Sequence, residues 1–371
     1  MRIGIITVPF NNNYGGYLQS YALITLLRQM GHEPTIIMRR HNRPVVSTAD
    51  RTKYFLKGIA RSILYRKRYP LLYDVENTFR QRGRNMHTFL NTHIQPQTEY
   101  VYTTEDLRKL CKDRFDAYVV GSDQVWRAIY VPGIVNNLFL DFTKEWDVKR
   151  IAYAASFGTD MPEYTSDEIK LCGELIKCFD AVSVRESSGL DVFKKFNWQV
   201  NNPQVVLDPT FLLTKDDYNK ILPHTNEYAK GKVFCYVLDK SNEAKKAIDR
   251  IQDEISKPIY EIADIQKGDS VLPSVETWLT AIRDSDFVIT DSFHGTVFSI
   301  IFNKPFVVYA NEGRGKSRFE AILGQLGLMK NIYTENSTIE QFFNIDWTTV
   351  NRIIKAKSSE SKKFLVNSLI V

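Results

Sequence analysis

Cysteine is scarce in this 371-residue chain, and Cys111, Cys172, Cys178 and Cys235 form no Cys-x-x-Cys pair and have no histidine at metal-ligand spacing. This pattern excludes a disulfide framework and indicates no zinc site, so we expect reduced thiols in a cytoplasmic protein. Long apolar runs are also missing, and none reaches the ~18 residues of a membrane-spanning helix. The chain opens with a short apolar strand and a polar turn, so we expect no export signal.

The remaining composition is typical of a large globular protein. With 43% hydrophobic residues the chain can bury a sizeable core, and at ~100–200 residues per domain we expect two domains. Short apolar runs alternate with amphipathic stretches, a pattern that predicts parallel βαβ units. The predicted strands are 3–8, 34–38, 117–120, 151–155, 181–184, 233–238, 258–262, 287–289 and 306–309, and the predicted helices include 17–30, 241–255, 275–284, 295–302 and 348–370.

The second series of elements begins after Asn201-Asn202-Pro203, a turn-forming triplet that predicts a domain junction. We therefore expect an α/β fold of two Rossmann-like domains, 1–202 and 203–345, followed by a C-terminal helix in 346–371 that crosses back onto the first domain. Two such domains facing across a cleft resemble the glycosyltransferase-B architecture. Ligands of open α/β sheets bind at the carboxyl ends of the strands, so we expect the site residues to lie there.

Residues 39–84, called the basic segment below, carry 13 Lys and Arg residues against three acids, a net +10, so the rest of the chain is about −4 and the whole chain +6. Tyrosine, leucine and isoleucine residues alternate with these charges, as in helices that lie on an anionic surface. Two interpretations remain open. A helical insertion over about 39–100 packs its apolar face on its own domain, or the segment contacts a membrane surface peripherally. We expect no nucleic acid partner.

The first candidate motif follows the first predicted strand and reads Asn11-Asn12-Asn13-Tyr14-Gly15-Gly16. Glycines allow backbone amides to approach a ligand, and a helix N-terminus favours an anion or a sugar oxygen. The motif is not the Gly-x-Gly-x-x-Gly dinucleotide fingerprint, and an ordinary tight turn explains it equally well. On the binding interpretation, Asn13, Tyr14 and Gly15 contact a ligand.

The second candidate motif, Gly121-Ser122-Asp123-Gln124-Val125-Trp126, directly follows the predicted strand 117–120. Asp123 can accept hydrogen bonds from sugar hydroxyls, Gln124 adds an amide, and Trp126 can stack on a sugar ring. A helix cap is the alternative role for Asp123. The three side chains together exceed what a cap requires, which favours a saccharide site.

The third candidate motif, Ser183-Val184-Arg185-Glu186-Ser187-Ser188-Gly189, also lies at a strand end. Arg185 offers a planar fork that matches a carboxylate or a phosphate. Glu186 can hold this arginine in position or act on a proton. A surface ion pair worth less than ~1 kcal/mol is the alternative.

The fourth candidate motif, Thr290-Asp291-Ser292-Phe293-His294-Gly295-Thr296, lies between a strand and a helix. Hydroxyls and free helix-terminal amides can bind phosphate, and an imidazole can supply a proton. A lone histidine is more often structural, but these polar neighbours favour a functional role for His294. Further along, Arg314, Lys316 and Arg318 bring three cations to the same rim.

Taken in order, these motifs resemble those of the polysaccharide pyruvyl transferase family. The resemblance extends to Leu18-Gln19, Ala22-Leu23, Tyr153-Ala154-Ala155-Ser156-Phe157-Gly158 and Asp208-Pro209-Thr210, and spans most of the chain. It implies a glycosyltransferase-B-like enzyme with phosphoenolpyruvate as co-substrate and no cofactor or obligatory metal. The implied acceptor is a glycan or lipid-linked saccharide of a capsule or exopolysaccharide, met in the cytoplasm or at the inner face of the cell membrane.

The resemblance also implies roles for the candidate residues. His294 is the expected acid or base, because an imidazole exchanges protons near neutral pH. Asp123 and Glu186 are the other catalytic candidates, and the sequence does not rank them as bases. The expected donor site lies in the cleft, with Arg185 from the first domain and with Ser292, Gly295, Thr296, Arg314 and Arg318 from the second, the expected donor side. The expected acceptor site, on the first domain's side, comprises Asn13, Tyr14, Gly15, Gln124 and Trp126.

The chain departs from some family members at one motif, and two other functions also fit its sequence. Some relatives have Arg-Leu-His where this chain has Ser292-Phe293-His294, so Arg314 or Arg318 is expected to supply the missing charge. A nucleotide-sugar glycosyltransferase suits two Rossmann-like domains equally well. A saccharide-binding protein without turnover is the non-enzymatic alternative, and the presence of Asp123, Arg185 and His294 argues against it.

Overall fold

A computed structural model describes residues 1–42, 80–160, 163–223, 225–239, 241–262, 271–310 and 316–370, and single positions between 52 and 62. The strands are β1 Arg2–Ile6, β2 Glu33–Ile36, β3 Ala117–Asp123, β4 Lys149–Ala155, β5 Ala181–Val184, β6 Gln204–Val205, β7 Val233–Tyr236, β8 Ile259–Glu261, β9 Phe287–Thr290 and β10 Phe306–Val308. Across the described ranges these strands form two parallel sheets, ordered β2-β1-β3-β4-β5-β6 and β10-β9-β7-β8. The predicted α/β fold of two Rossmann-like domains is confirmed.

Helices cover these sheets and connect their strands. They are α1 Tyr14–Gln29, α2 Arg84–His93, α3 Thr104–Cys111, α4 Ser166–Ile176, α5 Ser188–Lys195, α6 Lys215–Asn219, α7 Asn242–Ile255, α8 Val275–Asp284, α9 Phe293–Ile301, α10 Lys316–Gln325, α11 Ile339–Phe343 and α12 Trp347–Leu369. The Asn13 side chain accepts a hydrogen bond from the Gly15 amide and caps α1, so this helix begins before its predicted start at residue 17. Ser292 caps α9 in the same way through the Gly295 amide.

Two apolar clusters bury the two faces of the first sheet. One contains residues of the first domain, including Trp126 stacked on Phe139 with ring centroids 4.9 Å apart. The other continues from α1 into α8 and α9 of the second domain. There Tyr14 stacks on Trp278 with ring centroids 5.2 Å apart. The two domains therefore share apolar packing along the line where they meet.

The first sheet extends beyond the predicted domain junction. Strand β6 pairs with β5, so residues 204–205 belong to the first sheet although they follow Asn201-Asn202-Pro203. Helix α12 also lies against the first domain. The Ser361 hydroxyl accepts a hydrogen bond from the Leu207 amide at 3.0 Å, and Phe364 packs near Tyr153.

Both described ends of the basic segment pack on the first domain. Arg39 is buried and donates to Asn137 Oδ1 at 2.7 Å, and Arg40 lies over the Tyr100 ring. At the other end, α2 buries Met86 and Phe89 in the core shared with α1. Most of the segment, 43–79, falls outside the described residues except at single positions. None of the helices that the structure describes is long and apolar enough to cross a membrane.

Candidate active site

Four polar side chains meet where the two domains face each other. Asp123 ends β3, Arg185 follows β5, Asp208 precedes the 3-10 helix Pro209–Leu212, and His294 lies in the first turn of α9. Parallel strands direct their carboxyl ends to one edge, which accounts for the position of the first two. His294 comes from the second domain, so the cluster spans the boundary.

Arg185 lies at the centre of three carboxylates. Its Nη1 atom lies 3.2 Å from Asp123 Oδ1 and 3.1 Å from Asp208 Oδ2, and its Nε atom lies 3.4 Å from Glu186 Oε2. Burial lowers the pKa of this guanidinium, but Glu186, Asp123 and Asp208 more than compensate and hold it above its ordinary value. Protein carboxylates therefore already engage two of its nitrogens, and binding of the donor by Arg185 stays a prediction.

Phe293, the central residue of Ser292-Phe293-His294, contacts Arg185. The Arg185 guanidinium carbon lies 4.2 Å from the centre of the Phe293 ring, a cation–π contact between the two domains. The aromatic ring therefore steadies the arginine from the opposite side of the boundary. The sequence did not single out this role, because the pairing joins residues more than one hundred positions apart.

His294 is enclosed by residues of the first domain. Its Nε2 atom lies 3.7 Å from Asp208 Oδ2, close enough for electrostatic attraction but longer than a hydrogen bond. On the other edge of the ring, a Cβ atom at Gly15 would come within 2.0 Å of Nδ1. Gly15 thus has no side chain because the imidazole occupies that space, and its predicted role as an acceptor ligand stays a prediction.

Asp208 is the principal site residue that the sequence analysis did not assign. Its second oxygen accepts hydrogen bonds from the Thr210 hydroxyl at 2.7 Å and the Thr210 amide at 3.0 Å. Burial raises the pKa of Asp208, but His294, Arg185 and Thr210 outweigh burial and hold it well below the ordinary value. A signal was present, because Asp208-Pro209-Thr210 is one of the motifs on which the family resemblance rests.

The two candidate bases differ in their surroundings. Glu186 accepts a hydrogen bond from the Ser156 hydroxyl and pairs with Arg185, and its side chain is 4% exposed. Asp123 pairs with Arg185, and its side chain is 11% exposed. Across the described ranges no group of three or more His, Cys, Asp and Glu side chains has the arrangement of a metal site.

Arg318 supplies a second, half-buried cation near this cluster. Burial and the neighbouring Arg185 charge lower the pKa of Arg318, while Glu186 and Asp123 act on it in the opposite sense. The arginine expected to compensate for the missing family residue is therefore close to the site. Arg314, the other expected substitute, lies outside the described residues.

The turn before α9 does not offer all the groups that were predicted to bind the donor. The Ser292 hydroxyl caps the helix by accepting from the Gly295 amide at 3.3 Å. The Thr296 amide and hydroxyl both donate to the Ser292 carbonyl. The predicted donor contacts of Gly295 and Thr296 are corrected here, because these groups are already bonded within the first turn.

The predicted acceptor residues lie in different surroundings, and two of them are buried away from any ligand. Trp126 is fully buried and donates from Nε1 to the Leu138 carbonyl, so the prediction that it stacks on a sugar is wrong. Tyr14 is buried against Trp278, and its hydroxyl donates to the Pro273 carbonyl at 3.0 Å, which makes it an interdomain contact. Gln124 remains beside the site, next to Gly158.

Comparisons with solved structures agree with this architecture. A Neisseria meningitidis UDP-GlcNAc 2-epimerase bound to UDP-GlcNAc is similar with a TM-score of 0.51 and 10% identity, over 100% of this chain and 99% of the other. A Methanocaldococcus jannaschii UDP-GlcNAc 2-epimerase gives 0.53 and 14%, over the same shares. Arabidopsis thaliana UGT89C1 complexed with UDP-L-rhamnose gives 0.51 and 11%, again over 100% and 99%. At such low identity these likenesses establish the glycosyltransferase-B-like fold alone.

Comparisons of sequence are more specific. General stress protein 30 of Bacillus subtilis (strain 168) is 24% identical over 300 residues, which cover 73% of this chain and 80% of that protein. The family model of the polysaccharide pyruvyl transferases matches residues 13–313, and so includes the Asn13-Tyr14-Gly15 turn, the Arg185 cluster and His294. The chain therefore belongs to the polysaccharide pyruvyl transferase family.

Proposed function

We propose that the protein transfers the enolpyruvyl group of phosphoenolpyruvate onto two hydroxyls of a glycan sugar, forming a pyruvate ketal in the synthesis of a surface polysaccharide such as a capsule or exopolysaccharide. One observation carries this proposal. Arg185 Nη2, His294 Nε2 and Gln124 Nε2 are buried without a hydrogen-bond partner among the described groups. An unpaired buried donor costs about 1–3 kcal/mol, so the site favours a ligand rich in acceptor oxygens. Phosphoenolpyruvate offers both carboxylate and phosphate oxygens.

The reaction needs proton transfer at two places. The methylene carbon of phosphoenolpyruvate gains a proton while one sugar hydroxyl loses its proton and bonds to C2. A second sugar hydroxyl then bonds to C2, its proton passes to the leaving phosphate, and the C2–O bond to phosphate breaks. The products are the cyclic ketal and inorganic phosphate, so a site for this reaction requires an acid, a base and a cation.

The geometry favours a division of these roles. His294 acts as the acid, and the Asp208 carboxylate 3.7 Å away stabilises the imidazolium that such an acid must form. Arg185 Nη2 and Arg318 bind the negatively charged donor and stabilise the departing phosphate. Asp123 is favoured over Glu186 as the base, because its side chain is more exposed and is not bonded to Ser156.

An exposed aromatic residue offers a surface for the acceptor in place of Trp126. Tyr130 is 46% exposed, and the Arg127 guanidinium lies 4.5 Å from its ring centre. Tyr130 is also near enough to Arg318 to raise the pKa of its guanidinium, which places Tyr130 on the rim of the site. An aromatic face beside a guanidinium suits stacking on a sugar ring and bonding to its hydroxyls.

A phosphate-release assay tests the proposed reaction. The protein is mixed with phosphoenolpyruvate and a panel of galactose-, mannose- and N-acetylhexosamine-terminated acceptors, and a ketal product is sought by mass spectrometry. Release that depends on one acceptor class is expected. Turnover of a UDP-sugar without use of phosphoenolpyruvate would identify a glycosyltransferase instead. Binding of phosphoenolpyruvate without release, across the panel, would indicate a saccharide-binding protein.

Two substitutions separate proton transfer from donor binding. His294→Asn should lower turnover at least ~100-fold, the usual contribution of a general acid, while donor affinity changes less than about tenfold. Arg185→Lys should weaken donor binding strongly, because an ammonium group cannot reproduce the planar guanidinium. Phosphate release measures turnover, and calorimetric titration with phosphoenolpyruvate measures affinity. A folded His294→Asn protein with normal turnover would exclude His294 as the acid.

We also propose that the protein works in the cytoplasm and that the basic segment docks it on an anionic leaflet, where a lipid-linked acceptor is presented. Its 13 Lys and Arg residues support this, since each basic residue near such a surface is worth roughly 1 kcal/mol. Co-sedimentation with anionic but not neutral vesicles is expected. Equal binding to both kinds of vesicle, or to neither, would contradict docking without affecting the catalytic proposal.

A further inference from the structure

A groove outside the Arg185 cluster lies between α12, the 3-10 helix Pro209–Leu212 and the end of α9. Its volume is about 770 Å³, within the ~300–1,000 Å³ range of small-molecule sites. Three segments line it, namely one face of α12, the chain around the 3-10 helix Pro209–Leu212, and the end of α9 at Ile301. None of the residues assigned above to the candidate active site lines this groove.

The floor of the groove is apolar, and its α12 wall combines apolar side chains with Asn351, Ser358, Ser359 and Asn367. Phe211, Leu212 and Leu213 are buried beneath it, and Ile354 and Val366 of α12 form a wall. Val366 is 45% exposed although it faces an apolar surface, so the groove leaves hydrocarbon in contact with water. Covering such a surface with a hydrocarbon chain is favourable by roughly 25 cal/mol per Å².

Lysines surround this apolar surface. The lining contains Lys215, Lys355, Lys362 and Lys363, and Asp216 is the one acidic residue among them. On α12 the lining positions recur every three or four residues, so its lysines lie on the same face as Ile354 and Val366. Long lysine stems lie along apolar surface while their ammonium groups remain in water, where they can bind an anion.

These features restrict the occupant. The basic segment of this chain is excluded by charge, because it would bring further Lys and Arg residues against the four lysines. A second copy related by two-fold symmetry would likewise place the lysines of α12 against each other. An apolar floor under a cationic rim instead complements a molecule that joins a hydrocarbon chain to an anionic head.

We propose that this groove binds a single-chain anionic amphiphile, with the hydrocarbon chain against Phe211–Leu213 and a phosphate head among Lys355, Lys362 and Lys363. The groove adjoins the active site through two elements. The 3-10 helix directly follows Asp208, and α9 rises about 11 Å from His294 to Ile301. If the proposed function holds, the groove retains a lipid-borne phosphate near the acceptor site, but amphiphile binding itself does not depend on that function.

Binding of dodecyl phosphate to the full chain, below its micelle concentration, tests this proposal by calorimetry. Inorganic phosphate supplies the head alone, and dodecyl maltoside supplies the chain with an uncharged head. We expect dodecyl phosphate to bind at least tenfold more tightly than either. Equal affinity for dodecyl phosphate and dodecyl maltoside would overturn the proposal, as would failure of dodecyl phosphate to bind. Binding of an acidic peptide in its place would identify the groove as a protein-binding surface.

Variants locate the binding. Lys362→Glu combined with Lys363→Glu should weaken dodecyl phosphate binding at least tenfold, and Val366→Asp should do the same by placing an anion in the wall. The matched control is Lys245→Glu combined with Lys246→Glu on the exposed face of α7, which should bind as the unaltered chain does. Phosphate release from phosphoenolpyruvate should be unchanged in the Lys362/Lys363 variant when a soluble acceptor is used. Dodecyl phosphate binding that is unaltered in the Lys362/Lys363 variant would refute the site. Absence of phosphate release by the unaltered chain would refute only the proposed reaction.

Discussion

Gly15 and Gly16 are neighbouring residues at the start of α1 with opposite structural constraints. A Cβ atom at Gly15 would lie 2.0 Å from His294 Nδ1, whereas one at Gly16 would meet nothing within 4 Å. Only the first glycine is therefore required by the close approach of the two domains. The pair provides a test of that approach with the same chemical change at both positions.

Gly15→Ala should lower the free energy of unfolding by about 1–3 kcal/mol, the usual cost of overpacking, and reduce phosphate release by displacing His294. Gly16→Ala should leave turnover unchanged and stabilise α1 by up to ~1 kcal/mol, because alanine favours a helix over glycine. Urea denaturation and the phosphate assay measure both effects. Equal behaviour of the two variants would mean that His294 is not packed against Gly15.

The charge of Asp208 should be essential for stability. Asp208→Asn removes one charged partner of the buried Arg185 but leaves Asp123 and Glu186, so it should cost about 1.5–3 kcal/mol, the value of a hydrogen bond to a charged group. Asp191→Asn, which breaks an exposed pair with Lys194, should cost less than ~0.5 kcal/mol. Urea denaturation at neutral pH distinguishes the two, and a loss below 1 kcal/mol for Asp208→Asn would contradict a buried charged network.

The same residue makes a pH-dependent contribution. The pKa of Asp208 is lower in the folded protein than in the unfolded chain, so its stabilising effect is fully present above the unfolded value of ~3.9 and is lost as pH falls below it. The stability difference between the unaltered chain and Asp208→Asn should therefore narrow as the pH falls below about 4. A difference that stays constant from pH 7 to pH 3 would show that Asp208 is not held ionised by folding.

At the scale of elements, helix caps set the start of the helices that carry or surround the site. Ser292 caps α9, and Thr165 caps α4 in a reciprocal capping box with Glu168. Both hydroxyls make the same kind of bond, but only α9 carries a candidate catalytic residue in its first turn. Comparing these caps separates the stability of a helix from the function of its first turn.

Ser292→Ala and Thr165→Ala should each lower the free energy of unfolding by ~1 kcal/mol, the usual value of a side-chain cap. Only Ser292→Ala should also reduce turnover, because it loosens the turn that positions His294. Donor affinity, measured by titration, should change less than tenfold in both variants. A larger loss of donor affinity in Ser292→Ala would mean that the Ser292 hydroxyl contacts the donor directly, as the sequence first predicted.

At the scale of the whole molecule, the contact between α1 and α8 joins the two domains. Tyr14→Ala removes the stack on Trp278 and should destabilise the protein by about 3–5 kcal/mol, so that calorimetry shows a broadened or divided unfolding transition. Tyr14→Phe keeps the stack, loses the bond to the Pro273 carbonyl, and should cost only ~1 kcal/mol. A single transition at the original temperature in Tyr14→Ala would show that the domains do not depend on this contact.

The sequence by itself determined the order of strands and helices, because the spacing of apolar residues is a local property that follows from the geometry of each element. The predicted helices 241–255 and 275–284 correspond to α7 and α8 almost residue for residue. The ordered motifs also determined the family, since the short segments at strand ends are contiguous in the chain.

Only the tertiary structure decided how those motifs meet and which side chains remain available to a ligand. It buried Trp126 beneath the sheet, because a strand end can direct an indole into the core as readily as into a cleft. It also surrounded Arg185 with Asp123, Glu186 and Asp208, and placed Gly15 against His294. These contacts join residues far apart in the chain, and their distances depend on how the two sheets and their helices pack, which no local pattern of residues encodes.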